Sequence, residues 1–109
     1  MQIKHFIEEK ILVVEVTEEI DHHTSEKIRT RIDYEIQRFM PRKVIMDLKQ
    51  VRFMDSAGIG LIIGRYKLAK TYGGSLEIQN VSLKLKRIFE MSGIEKIIKV
   101  KELQESKLA

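Results

Sequence analysis

Ser56, preceded by Asp55 and followed two residues later by Gly58, is the side chain best placed to take part in chemistry. It falls where a buried strand gives way to a helix, so its hydroxyl stands in a helical first turn. There the leading backbone N–H groups lack intrahelical partners and the macrodipole is positive, so a phosphoryl group on Ser56 would do little damage to the fold. Serine can also act as a nucleophile. An elbow built for that has glycine two residues before and two after; Gly58 fits, but position 54 is Met. All three histidines, His5, His22 and His23, precede Ser56, and nothing marks one of them as its base. On physics alone, a serine at such a junction is first of all a cap.

Other constellations carry less. Gly58, Gly60 and Gly64 are spaced GxGxxxG rather than GxGxxG, and the residues between them are apolar at helical period, which speaks against a dinucleotide loop. His22 and His23 beside Asp21 could suggest a metal, but adjacent histidines point apart and no histidine follows them. The chain has no cysteine, so disulfides, thiolate metal sites and cysteine nucleophiles are excluded. No cofactor is implied.

The net charge of +4 conceals an asymmetry: the first 40 residues are predominantly acidic and the remainder predominantly basic. Tyr66 and Tyr72 sit in helical spacing and no aromatic RNA-binding motif accompanies the cations, so the basic half reads as solvated surface and no nucleic acid is expected. The N-terminus lacks the apolar core of a signal peptide, and the longest apolar runs fall short of a membrane span. The expectation is one cytoplasmic domain over residues 1–109, with no membrane insertion.

The elements that position Ser56 follow from periodicity. Ile3, His5 and Ile7 alternate, Glu8-Glu9-Lys10 turns the chain, and Ile11 to Val16 is a β-branched run, which together predict a hairpin. Thr24 is the expected N-cap of a helix with Ile28, Ile32, Ile36 and Phe39 on one stripe, closed by Pro41, and with Lys27, Arg29, Arg31 and Glu35 on a wet face. Val44 to Leu48 reads as a strand buried on both sides by helices. The Ser56 helix runs to about Tyr72 and stops at Gly73-Gly74; Leu76 and Ile78 mark the next strand. Ser82 caps a helix buried through Leu85, Ile88 and Phe89, Gly93 ends it, and Ile97 to Val100 is a last strand before a polar tail after Glu102. Alternation of strands and helices predicts an α/β fold with mostly parallel strands joined by right-handed crossovers. The functional edge lies beyond the carboxyl ends of the strands, where Ser56 and the Ile20-Asp21-His22-His23 segment should both fall.

Within the Ser56 helix, a 100° step places Ile59, Ile62, Ile63, Tyr66 and Ala69 toward the core. The opposite side then carries Leu61, Gly64, Arg65 and Leu68. Gly60 and Gly64 form a small-residue step that would let another backbone approach, so this side is expected to meet a protein partner. Each glycine costs a helix about 1 kcal/mol relative to alanine, which calls for a reason.

Phe53-Met54-Asp55-Ser56-Ala57-Gly58-Ile59-Gly60, continuing Leu61-Ile62-Ile63-Gly64-Arg65-Tyr66-Lys67, resembles the signature of STAS-domain anti-sigma factor antagonists, and its longer form resembles the sporulation-specific branch. Ile20-Asp21-His22-His23-Thr24, Gly73-Gly74, Lys86 to Gly93 and Lys96-Ile97-Ile98 agree in order along essentially the whole chain. The chain departs from the family in having Glu18 where many members have glycine, and Ala57 where a second serine is usual.

The resemblance implies a single STAS-type domain, a mixed, mostly parallel sheet of four to five strands packed with about four helices. It implies a binding protein rather than an enzyme. The unphosphorylated form would bind an anti-sigma factor that is also an ATP-dependent serine kinase and so free a sigma factor; phosphorylation on Ser56 would end that binding, and a phosphatase would restore it. Asp21, Met54, Asp55, Ser56, Ala57, Gly58, Gly60, Leu61, Gly64 and Arg65 are the candidate partner-binding residues. Control of a sporulation sigma factor is the first expectation and a general stress pathway the alternative.

Overall fold

A computed structural model describes residues 1–104. Strands β1 (Gln2–Phe6) and β2 (Ile11–Glu15) form the expected antiparallel hairpin, followed by helix α1 (Ser25–Phe39) and strand β3 (Lys43–Asp47). Helix α2 (Ser56–Thr71), strand β4 (Ser75–Val81), helix α3 (Leu83–Ser92), a 3-10 turn at Ile94–Lys96 and strand β5 (Lys99–Glu102) complete it. β2, β3, β4 and β5 run parallel, so the sheet is mixed and mostly parallel. Three α-helices, rather than about four, are present among the described residues. The expected polar tail falls largely on residues 105–109, outside them.

Strand order in the sheet is chain order, β1-β2-β3-β4-β5. Each crossover therefore moves one strand over in the same direction, and right-handed connections put all three helices on one face. That overturns the expectation that Val44 to Leu48 is covered on both sides. Along β3 burial alternates, with Val44 and Met46 inside and Lys43, Ile45 and Asp47 half-buried on the open face. The open face is laced with charge: Lys4 meets Glu15 at 2.8 Å, and Glu77 lies 3.5 Å from Lys43 and 3.9 Å from Lys101.

The core lies between sheet and helices. Leu12, Val14, Val44, Met46 and Ile78 meet the predicted α1 stripe of Ile28, Ile32 and Ile36, together with Leu85 and Phe89 of α3. Ser82 caps α3 as expected, its Oγ accepting from the Leu85 N–H at 3.2 Å. The last strand begins two residues later than expected, because Gly93, left-handed at φ 80°, leads into the 3-10 turn and Ile98 donates its N–H to Ile94 O at 2.9 Å. Ile94 and Ile98 thereby plug the core before β5 starts. Glu35, expected to be merely wet, is held by Arg38 at 2.7 Å and His5 at 3.0 Å. Burial alone would raise its pKa, but those two hydrogen bonds outweigh it and keep the carboxyl below its ordinary range.

Candidate functional site

β2 and β3 are parallel and in register to Glu15 and Asp47, so their carboxyl ends leave the sheet side by side. Beyond them the two chains meet again in an isolated parallel bridge between Ile20 and Met54. Both residues are almost fully buried and act as paired anchors under the edge. The next residue in each chain is an aspartate, so the bridge sets Asp21 beside Asp55 and brings the starts of α1 and α2 onto one edge. The expected meeting of the Asp21 segment with Ser56 is thus realised by a backbone pairing between two residues whose apolar side chains are buried.

Asp55 is the N-cap of α2: it has extended backbone, and its Oδ1 accepts from the N–H of Ala57 at 3.0 Å and of Gly58 at 3.2 Å. Ser56 is the first helical residue, and it is exposed. Two of the free N–H groups expected at this terminus are therefore already taken. A dianion on Ser56 would project into solvent beside carboxylates instead of settling into an amide cradle.

Asp21 has a comparable local role. Its Oδ1 accepts from the N–H of His23 at 2.8 Å and of Thr24 at 3.0 Å, while its own N–H donates to Thr24 Oγ1 at 3.1 Å. The Thr24 hydroxyl donates to Glu19 O at 2.8 Å. Thr24 occupies the N-cap position of α1 but makes no capping bond, because its hydroxyl is spent on this turn. The Thr24 amide is the largest influence holding the Asp21 carboxyl below its ordinary value, opposed by partial desolvation and reinforced by His23.

Gly58 and Met54 lock the two elements together. A methyl at Gly58 would overlap Met54 Cγ, lie 2.8 Å from Met54 Sδ and come within 3.3 Å of Ile20 O. Glycine is needed here for close approach rather than for helix conformation.

The helix surface expected to meet a partner is mostly internal. α2 packs against both the sheet and α1, and is apolar nearly all round, as a helix flanked on two sides must be. Leu61 and Arg65 are buried, while Ile59, Ile63 and Tyr66, expected in the core, are only partly so. Arg65 is 8% exposed and faces Asp33 of α1, with Nε 2.5 Å from Asp33 Oδ1; the two atoms lack the alignment of a hydrogen bond, so the attraction is chiefly ionic. Burial raises the Asp33 pKa and lowers that of Arg65, and in each case the opposite partner pulls the other way without cancelling the shift. Met54 is likewise internal. Gly60 and Gly64 remain open, with nothing within 4 Å of an added Cβ. Gly60 borders a groove of about 260 Å³ between α1 and α2, lined also by Ser25, Arg29 and Ala57. Asp21, Asp55, Ser56, Ala57, Gly60 and Gly64 therefore form the accessible set.

Sequence reasoning missed two residues. Asp33 could not be matched to Arg65 across 32 positions of chain. Glu19 was given no role, yet its carboxylate accepts from the N–H of Arg52 at 3.2 Å and of Phe53 at 3.3 Å, tying the two exits together again. Among the described residues no helix is long and apolar enough to cross a membrane.

Known proteins resemble this chain in sequence and in fold. The STAS domain model matches residues 3–106. The anti-sigma F factor antagonist of Paenibacillus polymyxa is 40% identical over 90 residues, 83% of this chain and 77% of that protein. The anti-sigma-B factor antagonist of Bacillus subtilis (strain 168) is 31% identical over 97 residues, covering 89% and 87%. The anti-sigma factor antagonist SpoIIAA, solved in its unphosphorylated form, superposes with a TM-score of 0.77 at 27% identity over 91% of this chain and 85% of that one. Its phosphorylated form superposes at 0.69, with 27% identity over 91% and 88%. The matched family model and these relatives place the chain in the STAS-domain family of anti-sigma factor antagonists.

Proposed function

We propose that this protein is a phosphorylation-controlled antagonist in which Ser56 is the switch. Unphosphorylated, it binds an anti-sigma factor that is also an ATP-dependent serine kinase, and so releases a sigma factor in the cytoplasm. The kinase transfers a phosphoryl group to Ser56, and a serine phosphatase removes it. The protein itself is a binding partner rather than a catalyst. The observation that carries this reading is an exposed Ser56 at the first position of α2, on an edge where the Ile20–Met54 bridge has set Asp21 and Asp55 together.

The electrostatics give the switch its direction. A phosphoryl group adds about 1.5 to 2 negative charges. Within the domain it gains about 0.3–1 kcal/mol from the helix dipole, less what Asp55 already neutralises, so the fold survives. In an interface it joins two carboxylates, and burying unpaired charge costs several kcal/mol; at about 1.4 kcal/mol per tenfold, a hundredfold or greater loss of affinity follows. Ala57 removes the neighbouring hydroxyl, leaving Ser56 as the one acceptor in the motif. The higher identity to the F-type relative than to the B-type favours a sporulation sigma factor over a stress-response one.

The test is phosphorylation by the cognate anti-sigma factor with ATP, read by intact mass and peptide mapping. One phosphoryl group on Ser56 is expected, with none on Ser56→Ala, and Ser56→Asp should fold normally yet bind at least a hundredfold more weakly. Modification at another residue, or full affinity of Ser56→Asp, would remove Ser56 as the switch. A serine hydrolase would instead be labelled at Ser56 by a serine-reactive phosphonate.

A further inference from the structure

Phe53 is 55% exposed, although Val51 two residues before it is 0% exposed and Met54 directly after it is 2% exposed. A loop that buries its flanking side chains and leaves a phenyl ring in water has an unpartnered apolar group at the same edge as Ser56. The backbone beneath that ring is held firmly: Glu19 spends both carboxylate oxygens on consecutive amides, Oε1 on Arg52 and Oε2 on Phe53, across more than thirty residues of chain. On the other side Val51 donates to Leu48 O at 3.0 Å, closing the turn out of β3. An exposed ring on a clamped backbone is preorganised, so little conformational freedom remains to be lost when a partner covers it.

We propose that Phe53 is an apolar anchor for the anti-sigma factor, and that Glu19 is the positioning residue that presents it. The inference rests on the Ser56 reading above and extends its interface. Three residues of extended chain span at most about 10 Å, so any protein surface covering Ser56 is within reach of Phe53. Arg52, directly before the ring in sequence, is exposed as well. The matching surface is an apolar socket, and central buried aromatics of this kind carry a disproportionate share of binding energy.

The experiment measures affinity for the cognate anti-sigma factor by calorimetry for wild type, Phe53→Ala, Phe53→Leu, Glu19→Ala, the Glu19→Ala/Phe53→Ala double variant and Ser56→Asp, with thermal melts of each. Phe53→Ala should bind about 30-fold more weakly or worse, Phe53→Leu should fall between, and neither should melt lower than wild type, since the ring contributes little to the core. Glu19→Ala should weaken binding several-fold, and the double variant should bind no worse than Phe53→Ala alone, because Glu19 acts through the ring. Binding of Phe53→Ala within twofold of wild type overturns the anchor, and fully additive losses overturn the role of Glu19. If Ser56→Asp abolishes binding while Phe53→Ala does not, the switch stands and the anchor falls; the reverse pattern supports the anchor and sinks the charge switch.

Discussion

Replacing Gly58 with alanine isolates the contact that builds this site. Two effects oppose each other. Alanine is a better helix former than glycine by up to about 1 kcal/mol, which by itself would stabilise α2. The added methyl, however, overlaps Met54 Cγ, lies 2.8 Å from its Sδ and has Ile20 O at 3.3 Å behind it, and Met54 is 2% exposed, so it has no solvent into which to swing. Overpacking of this kind costs about 1–3 kcal/mol. The balance is a loss of roughly 1 kcal/mol, or about 4 °C in melting temperature for a domain of this size. Binding should suffer more than stability, because displacing Met54 disturbs its bridge to Ile20 and separates Asp21 from Asp55. Thermal melts paired with titration of the anti-sigma factor would read both. Met54→Ala in the Gly58→Ala background should show a favourable coupling of about 1–2 kcal/mol, because the shortened side chain removes the overlap. A Gly58→Ala protein that melts higher than wild type and binds normally would refute the close-contact reasoning.

Other expectations follow from the same geometry. Gly60→Ala and Gly64→Ala meet no neighbour, so each should raise stability by up to about 1 kcal/mol in chemical denaturation; a loss of anti-sigma factor affinity on top of that gain would mark the glycine as a site of close approach. Arg65→Ala leaves Asp33 partly buried without its cation and should cost about 3 kcal/mol, whereas Arg65→Met with Asp33→Leu should restore much of the loss, as urea melts would show. The Asp21 carboxyl has its pKa lowered in the folded state, so its contribution to stability is present above the ordinary value of 3.8 and is lost as pH falls through the lowered folded value. Asp21→Asn should accordingly flatten the acid limb of the stability curve, and an unchanged limb would show that the turn does not depend on the charge.

Local patterns were legible wherever one face of an element met one apolar layer. Ile28, Ile32 and Ile36 announced α1, the β-branched run from Ile11 announced β2, and Ser82 and Gly93 bracketed α3, because caps and periodicity act over a few residues. The helical stripe of α2 was misread because that helix is buried on two sides, and a 100° wheel cannot tell a core face from a helix–helix face when both are apolar. The wheel also put Arg65 outside, since a charged residue reads as surface until its partner Asp33 is known.

What the chain order and composition determined by themselves was the α/β alternation, the junction holding Ser56 and the family motif around it, all properties of contiguous residues. Tertiary structure decided the rest: that every helix lies on one face, that Ile20 and Met54 meet and set Asp21 beside Asp55, and that Glu19 takes the amides of Arg52 and Phe53. The bridge and the Glu19 bonds join residues more than thirty positions apart, and such pairings are set by the register of β2 against β3, which no short window of sequence contains.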